Sequence, residues 1–115
     1  MKYLCLVYFE QKIWDEFSEE EAEAVREASA AYDNELRRSG HFVQAQALQS
    51  VDTAATVRMR NGKISHTDGP FAETKEVLGG FLLIEARDLN EAIQVAGRIP
   101  LARYGSVEIR PIMTP

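Results

Sequence analysis

Asp68, Glu73 and Glu76 set three carboxylates within nine residues, with Phe71, Thr74 and Lys75 between them. Side chains of these types serve proton transfer, or anchor the polar groups of a small molecule, once a rigid turn fixes their directions. Asp68-Gly69-Pro70 supplies that turn. Gly69 tolerates positive φ, Pro70 fixes its own φ and lacks an N–H, and the residue before a proline is driven out of the helical region. Asp68 is therefore a candidate acid or base, and Glu73, Lys75 and Phe71 are candidate ligand contacts. The competing reading is structural. Asp68 then makes an Asx-type bond to its own turn, while Glu73 and Lys75 form surface or intersubunit ion pairs.

His66, two residues upstream of the turn, is the best general acid or base by type and the second catalytic candidate. Its strand register favours a packed imidazole holding a backbone carbonyl instead. His41 follows the end of a long helix and reads as a cap on the last carbonyls. Arg110 shares one face of the last strand with Glu108, where the two either pair across a dimer or line a cleft. Arg110 and Tyr8 complete the candidate ligand contacts. Two histidines 25 positions apart, without a spaced carboxylate or cysteine, give no metal signature. No phosphate-cradling glycine loop, Ser-His-Asp order or nucleotide fingerprint is present, so neither metal nor cofactor is expected.

The elements that must position these residues follow from periodicity. Residues 2–9 read as a strand apolar on both faces. Residues 10–17 read as a loop anchored by Trp14 and Phe17. Ser18 and Glu21 form a capping box for a helix running to about Ser39, with Ala22, Val25, Ser29, Tyr32 and Leu36 inward and Gly40 as its stop. A second strand spans 41–48. Strands at 54–60 and 63–67 flank Asn61-Gly62, a type I′ hairpin signal that pairs Arg60 with Lys63, Met59 with Ile64 and Val57 with His66. Residues 80–86 form another strand without a polar face, and Gly79-Gly80 marks backbone crowding where the chain re-enters the sheet. Asp88 and Glu91 open a second helix with Leu89, Ala92, Ile93 and Ala96 inward, and residues 106–112 form the last strand. Strand, helix, strand with hairpin, strand, helix, strand is the split β-α-β order of an α+β sandwich. Two helices cover one face of such a sheet, so its second apolar face calls for another copy of the chain.

At 115 residues and 45% hydrophobic composition the chain has the size of a single domain, 1–115. Its net charge of −5 argues against a nucleic-acid partner. Cys5, the single cysteine, reads as a buried inert thiol in a reducing compartment. Residues 1–9 are too short for a signal or membrane segment, which points to a soluble cytoplasmic protein.

The run Asp68–Glu76, DGPFAETKE, followed by Val77-Leu78-Gly79-Gly80-Phe81 and by Gly105-Ser106-Val107-Glu108-Ile109-Arg110-Pro111, resembles the DGPFAETKE branch of the YCII-related domain family. The opening Met1-Lys2-Tyr3-Leu4 and the Thr56-Val57-Arg58 strand extend the likeness over essentially the whole chain. The resemblance implies a ferredoxin-like domain pairing into a homodimeric α/β barrel, and most members of the family have no established activity. In the wider superfamily a histidine on the first helix acts with an aspartate, and some members are linked to small aromatic substrates such as chlorinated hydroquinones. Here Ser29 takes that histidine's place, and no role is carried over. The resemblance and the motif together lead to binding, with turnover left open, of a small organic molecule in a cleft. The alternative is a non-catalytic accessory role beside an extracytoplasmic-function sigma factor, near which genes of this branch tend to lie.

Overall fold

The computed structural model describes residues 1–114. Strand β1 (Lys2–Phe9), apolar in both alternating sets, takes a central place in the main sheet. A short helix, α1 (Gln11–Glu16), stands where the sequence predicts a loop. It has no side-chain cap and no buried residue, so no apolar stripe announces it. The ring series Phe9, Trp14, Phe17, Tyr104, with successive centroids 6.2, 5.6 and 5.1 Å apart, fastens it to the body.

Helix α2 (Glu19–Ser39) begins at the expected capping box: the Glu21 amide donates to Ser18 Oγ at 3.0 Å, and the Ser18 amide to the Glu21 carboxylate at 2.9 Å. It ends at Gly40, whose φ of 81° disfavours any side chain. Ala22, Tyr32 and Leu36 of the predicted stripe are buried, and Val25 and Ser29 half-buried. Strands β2 (Phe42–Ala47), β3 (Ala55–Arg60), β4 (Lys63–Asp68) and β5 (Val77–Glu85) precede helix α3 (Leu89–Ala96) and strand β6 (Gly105–Pro111). Asp88 caps α3 by accepting from the Glu91 amide at 2.9 Å. The buried face of α3 is Ala92, Val95 and Ala96, while Leu89 and Ile93 stay about half exposed. With five apolar residues among eight, two overlapping stripes exist, and periodicity alone does not choose between them.

The main sheet has the order β2-β5-β1-β6 with every pair antiparallel, compatible with a ferredoxin-like fold. Strand β5 starts three residues before its predicted boundary. Val7 faces Gly80 and Tyr8 faces Leu78, leaving Gly79 unpaired as a bulge that lets the strand continue. Both glycines are crowded as expected: a Cβ on Gly79 would collide with the Phe9 ring, and one on Gly80 would lie 2.8 Å from the Gln46 carbonyl oxygen.

One face of this sheet carries the core. Tyr3, Cys5, Val7, Leu82 and Ile84 pack against Tyr32 and Leu36 of α2 and Ala92, Val95 and Ala96 of α3. The opposite face presents Leu4, Leu6, Tyr8, Leu78, Phe81 and Leu83 between Gln44 and Gln46 on one side and Glu108 and Arg110 on the other. These apolar residues remain partly exposed. The chain is only 19 Å across its thin axis, the depth of one helix layer and one sheet layer.

Strands β3 and β4 form a separate two-stranded ribbon with the predicted register. Asn61 (φ 51°) and Gly62 (φ 74°) make its turn. Its apolar side is open to solvent: Val57 is 64%, Met59 55% and Ile64 71% exposed. No helix among the described residues is long and apolar enough to cross a membrane.

Candidate ligand cleft

Between β4 and β5 the chain runs through residues 69–76 without regular structure, as expected of a Gly-Pro turn followed by polar side chains. Its two ends are tied. Gly69, at φ 104°, donates its amide to the Ala54 carbonyl at 2.7 Å, and its own carbonyl accepts from Thr56 Oγ1 at 2.9 Å. At the far end Ser106 Oγ donates to the Glu76 carboxylate at 2.8 Å and Thr74 Oγ1 to the Glu76 carbonyl. Phe71 lies between these ties and is 82% exposed.

The fastening at Ala54, with the Leu48 amide donating to the Gly79 carbonyl at 2.8 Å, brings the 48–54 segment against the motif. Between them opens a cleft of about 620 Å³. Leu48, Val51, Ala54, Pro70, Phe71, Ala72, Val77 and Leu78 give it mainly apolar walls, and Tyr8, Gln49, Ser50, Thr53 and Thr74 add polar groups. That volume and lining suit a small organic ligand. The sequence holds no sign of the 48–54 wall, because its residues lie some twenty positions from the motif and their types read as a connector.

Of the sequence-predicted site residues, Tyr8 and Phe71 line this cleft. Asp68 ends β4 opposite Ala55, exposed, and among the described residues its carboxylate takes part in no hydrogen bond or ion pair. His66 shares that side of the ribbon and is exposed as well; it is not the packed, carbonyl-bound histidine that the register suggested. The register was right, but the apolar side of the ribbon meets no layer within the chain. Lys75 pairs with Glu10 at 3.5 Å, a surface ion pair, and Glu73 is exposed. Arg110 pairs with Glu108 at 3.2 Å and sits opposite Leu4, whereas Tyr8 is opposite Ser106. Four residues of strand separate the two positions, about 13 Å. The geometry thus gathers an apolar and aromatic cleft and leaves the charged candidates around it.

A second polar group lies on the helix layer, unforeseen because its members are fifty positions apart. Ser39 Oγ is 2.7 Å from His41 Nδ1, and His41 Nε2 is 3.1 Å from Glu91 Oε1. The expected capping role falls to the His41 backbone amide, which donates to the Leu36 carbonyl, while the ring ties the end of α2 to the start of α3. Glu91 is held below the usual carboxylate range, first by the Arg87 amide and then by His41. Behind β5, a hollow of about 150 Å³ contains Ser29 and Asp33. Burial pushes the Asp33 carboxyl up, and Arg37 opposes it. No cluster of three or more metal-ligating side chains occurs among the described residues.

An antiparallel α+β chain with an irregular motif over an apolar cleft defines the class of protein. The chain belongs to the YCII-related domain family, whose model matches residues 1–114. It is similar to the uncharacterized protein R00369 of Rhizobium meliloti (strain 1021), 36% identical over 114 residues that cover 97% of this chain and 92% of the relative.

Proposed function

We propose that the chain, as a DGPFAETKE-branch member of its family, binds a small, largely apolar and aromatic molecule in the cleft at the motif. Phe71 carries the reading. A phenylalanine left in water forgoes about 1.5–3 kcal/mol of burial. Fixed at both ends of its segment and bordering an apolar cleft of about 620 Å³, it is suited to stack on a flat ligand. The Tyr8 hydroxyl and Thr74 offer directional polar contacts, with Glu73 and Lys75 at the rim. Where turnover accompanies binding, Asp68 and His66, exposed on the ribbon beside the motif, are its acid–base pair, and Arg110 contributes only from a second copy.

The working form is a cytoplasmic homodimer in which the open sheet faces stack into an α/β barrel. The apolar strip Leu4, Leu6, Phe81 and Leu83, with no layer over it in a chain 19 Å thick, supports that arrangement. Tyr8 and Leu78 belong to both the open face and the cleft, so a stacked sheet would border the ligand. The sigma-factor accessory role requires an exposed docking face, and the open sheet face is here given to the second copy.

A thermal-shift screen of small aromatic acids and phenols tests the reading, run on wild type, Phe71→Ala and Tyr8→Phe. A ligand at about a hundred times its Kd adds about 2.7 kcal/mol, a rise of several degrees. Hits weakened in both variants support it. No hits, or hits indifferent to both substitutions, overturn it.

A further inference from the structure

The charges of this chain are segregated. Residues 55–68, the ribbon, hold three cations, Arg58, Arg60 and Lys63, against one carboxylate, Asp68 at its base. Residues 10–35 hold ten carboxylates against two cations, Lys12 and Arg26, and the remaining residues carry eight cations and seven carboxylates. The two regions are not joined within the chain: among the described residues, none of the ribbon cations has a carboxylate at ion-pair distance. Glu19, Glu20 and Glu27 of α2 are likewise exposed without a cation.

The ribbon also lacks mechanical support. It forms its own sheet, its six-residue strands reach about 20 Å, and Val57, Met59 and Ile64 face water. A two-stranded hairpin of this kind is marginal alone and needs a surface to bury its apolar side. We propose that the ribbon is an arm that docks on the acidic α1–α2 surface of a second copy of this chain. Met59 and Ile64, near the ribbon's tip, lie against the partner, leaving His66 and Asp68 toward its base free for the cleft. The long side chains of Arg58, Arg60 and Lys63, on the opposite side of the ribbon, reach round its edges to the partner's carboxylates. The two-fold exchange adds a second contact to the sheet stacking, and the arm proposal rests on that dimer.

Sedimentation velocity on the whole chain tests it with four variants. One reverses the arm (Arg58→Glu, Arg60→Glu, Lys63→Glu), one reverses α2 (Glu19→Lys, Glu20→Lys, Glu27→Lys), one combines both, and one breaks the sheet face (Leu6→Asp, Phe81→Asp). All substituted residues lie outside the core, and circular dichroism checks folding. The arm reversal is expected to raise the dimer Kd about tenfold or more, the combination to restore it, and the wild-type Kd to rise with salt. An arm-reversed chain with wild-type Kd and salt response overturns the arm while leaving the stacked dimer intact. An unaltered Kd in the sheet-face variant overturns the stacking and, with it, the arm as a second contact to that dimer. Failure of the combined variant to recover overturns docking on α2, and a monomeric wild type overturns both.

Discussion

The Tyr32 phenol donates to the Val95 carbonyl oxygen at 2.6 Å, joining α2 to α3 in the buried layer above the sheet. Arg98 lies over the same ring, 5.3 Å from its centroid, and pairs with Glu35 at 2.7 Å. Tyr32→Phe keeps the ring and its stacking but removes the donor. The expected loss is about 1 kcal/mol, a fall of about 4 °C in Tm. A Tm equal to wild type would mean that the bond adds nothing beyond what water supplies.

Gly79 and Gly105 are crowded by different neighbours, and substitution separates them. A methyl at 79 meets the Phe9 ring, whereas one at 105 meets the Tyr8 carbonyl and lies 2.9 Å from the Phe9 Cα. Gly79→Ala should cost about 1–3 kcal/mol and recover part of that loss when Phe9→Leu is added. Gly105→Ala should cost at least as much and gain nothing from Phe9→Leu, because backbone cannot withdraw. Chemical denaturation of the six chains, wild type and Phe9→Leu included, checks the contrast, and equal rescue at both positions would refute it.

The legible parts of the fold were those specified by neighbouring residues. The capping box at Ser18, the N-cap at Asp88, the stop at Gly40 and the Asn61-Gly62 register are decided within four residues, and all four stand as predicted. What failed needed a distant partner. Helix α1 depends on aromatic contact with Tyr104, the face of α3 on Tyr32, and the start of β5 on a bulge opposite Val7 and Tyr8. The site divided in the same way. Phe71 and Tyr8, named from the sequence, line the cleft, but the 48–54 wall and the Ser39–His41–Glu91 group exist only through folding. His66 illustrates the limit: its strand partner was fixed by the turn, and its surroundings were not.

Cys5 is fully buried, and desolvation pushes its thiol from the ordinary 9.0 up to about 11. The fold therefore holds the protonated form while the unfolded chain ionises, so stability is complete below pH 9 and lost as pH rises toward 11. That interval corresponds to at most about 2.7 kcal/mol. Urea unfolding near pH 8 and near pH 10.5 should fall more steeply in wild type than in Cys5→Ala. Parallel slopes would exclude Cys5 as the cause. The native thiol should also resist a disulfide reagent at neutral pH until the chain unfolds.

Glu91 gives the opposite sign at the acid end. The Arg87 amide donates to its Oε1 at 3.0 Å, His41 Nε2 stands 3.1 Å from the same oxygen, and Arg87 Nη2 lies 3.2 Å from the other. These contacts favour the carboxylate and lower its pKa from 4.5 despite some opposing desolvation. A depressed folded pKa contributes stability that is present above 4.5 and disappears as pH falls below it. Carboxyl NMR titration should find Glu91 below 4.5 in wild type and higher in His41→Ala, with part of the depression remaining because the Arg87 amide is still there. Glu91→Gln should make the acid unfolding limb shallower. If His41→Ala leaves the Glu91 midpoint unmoved, the imidazole is a bystander and the α2–α3 junction is held by Tyr32 and the backbone instead.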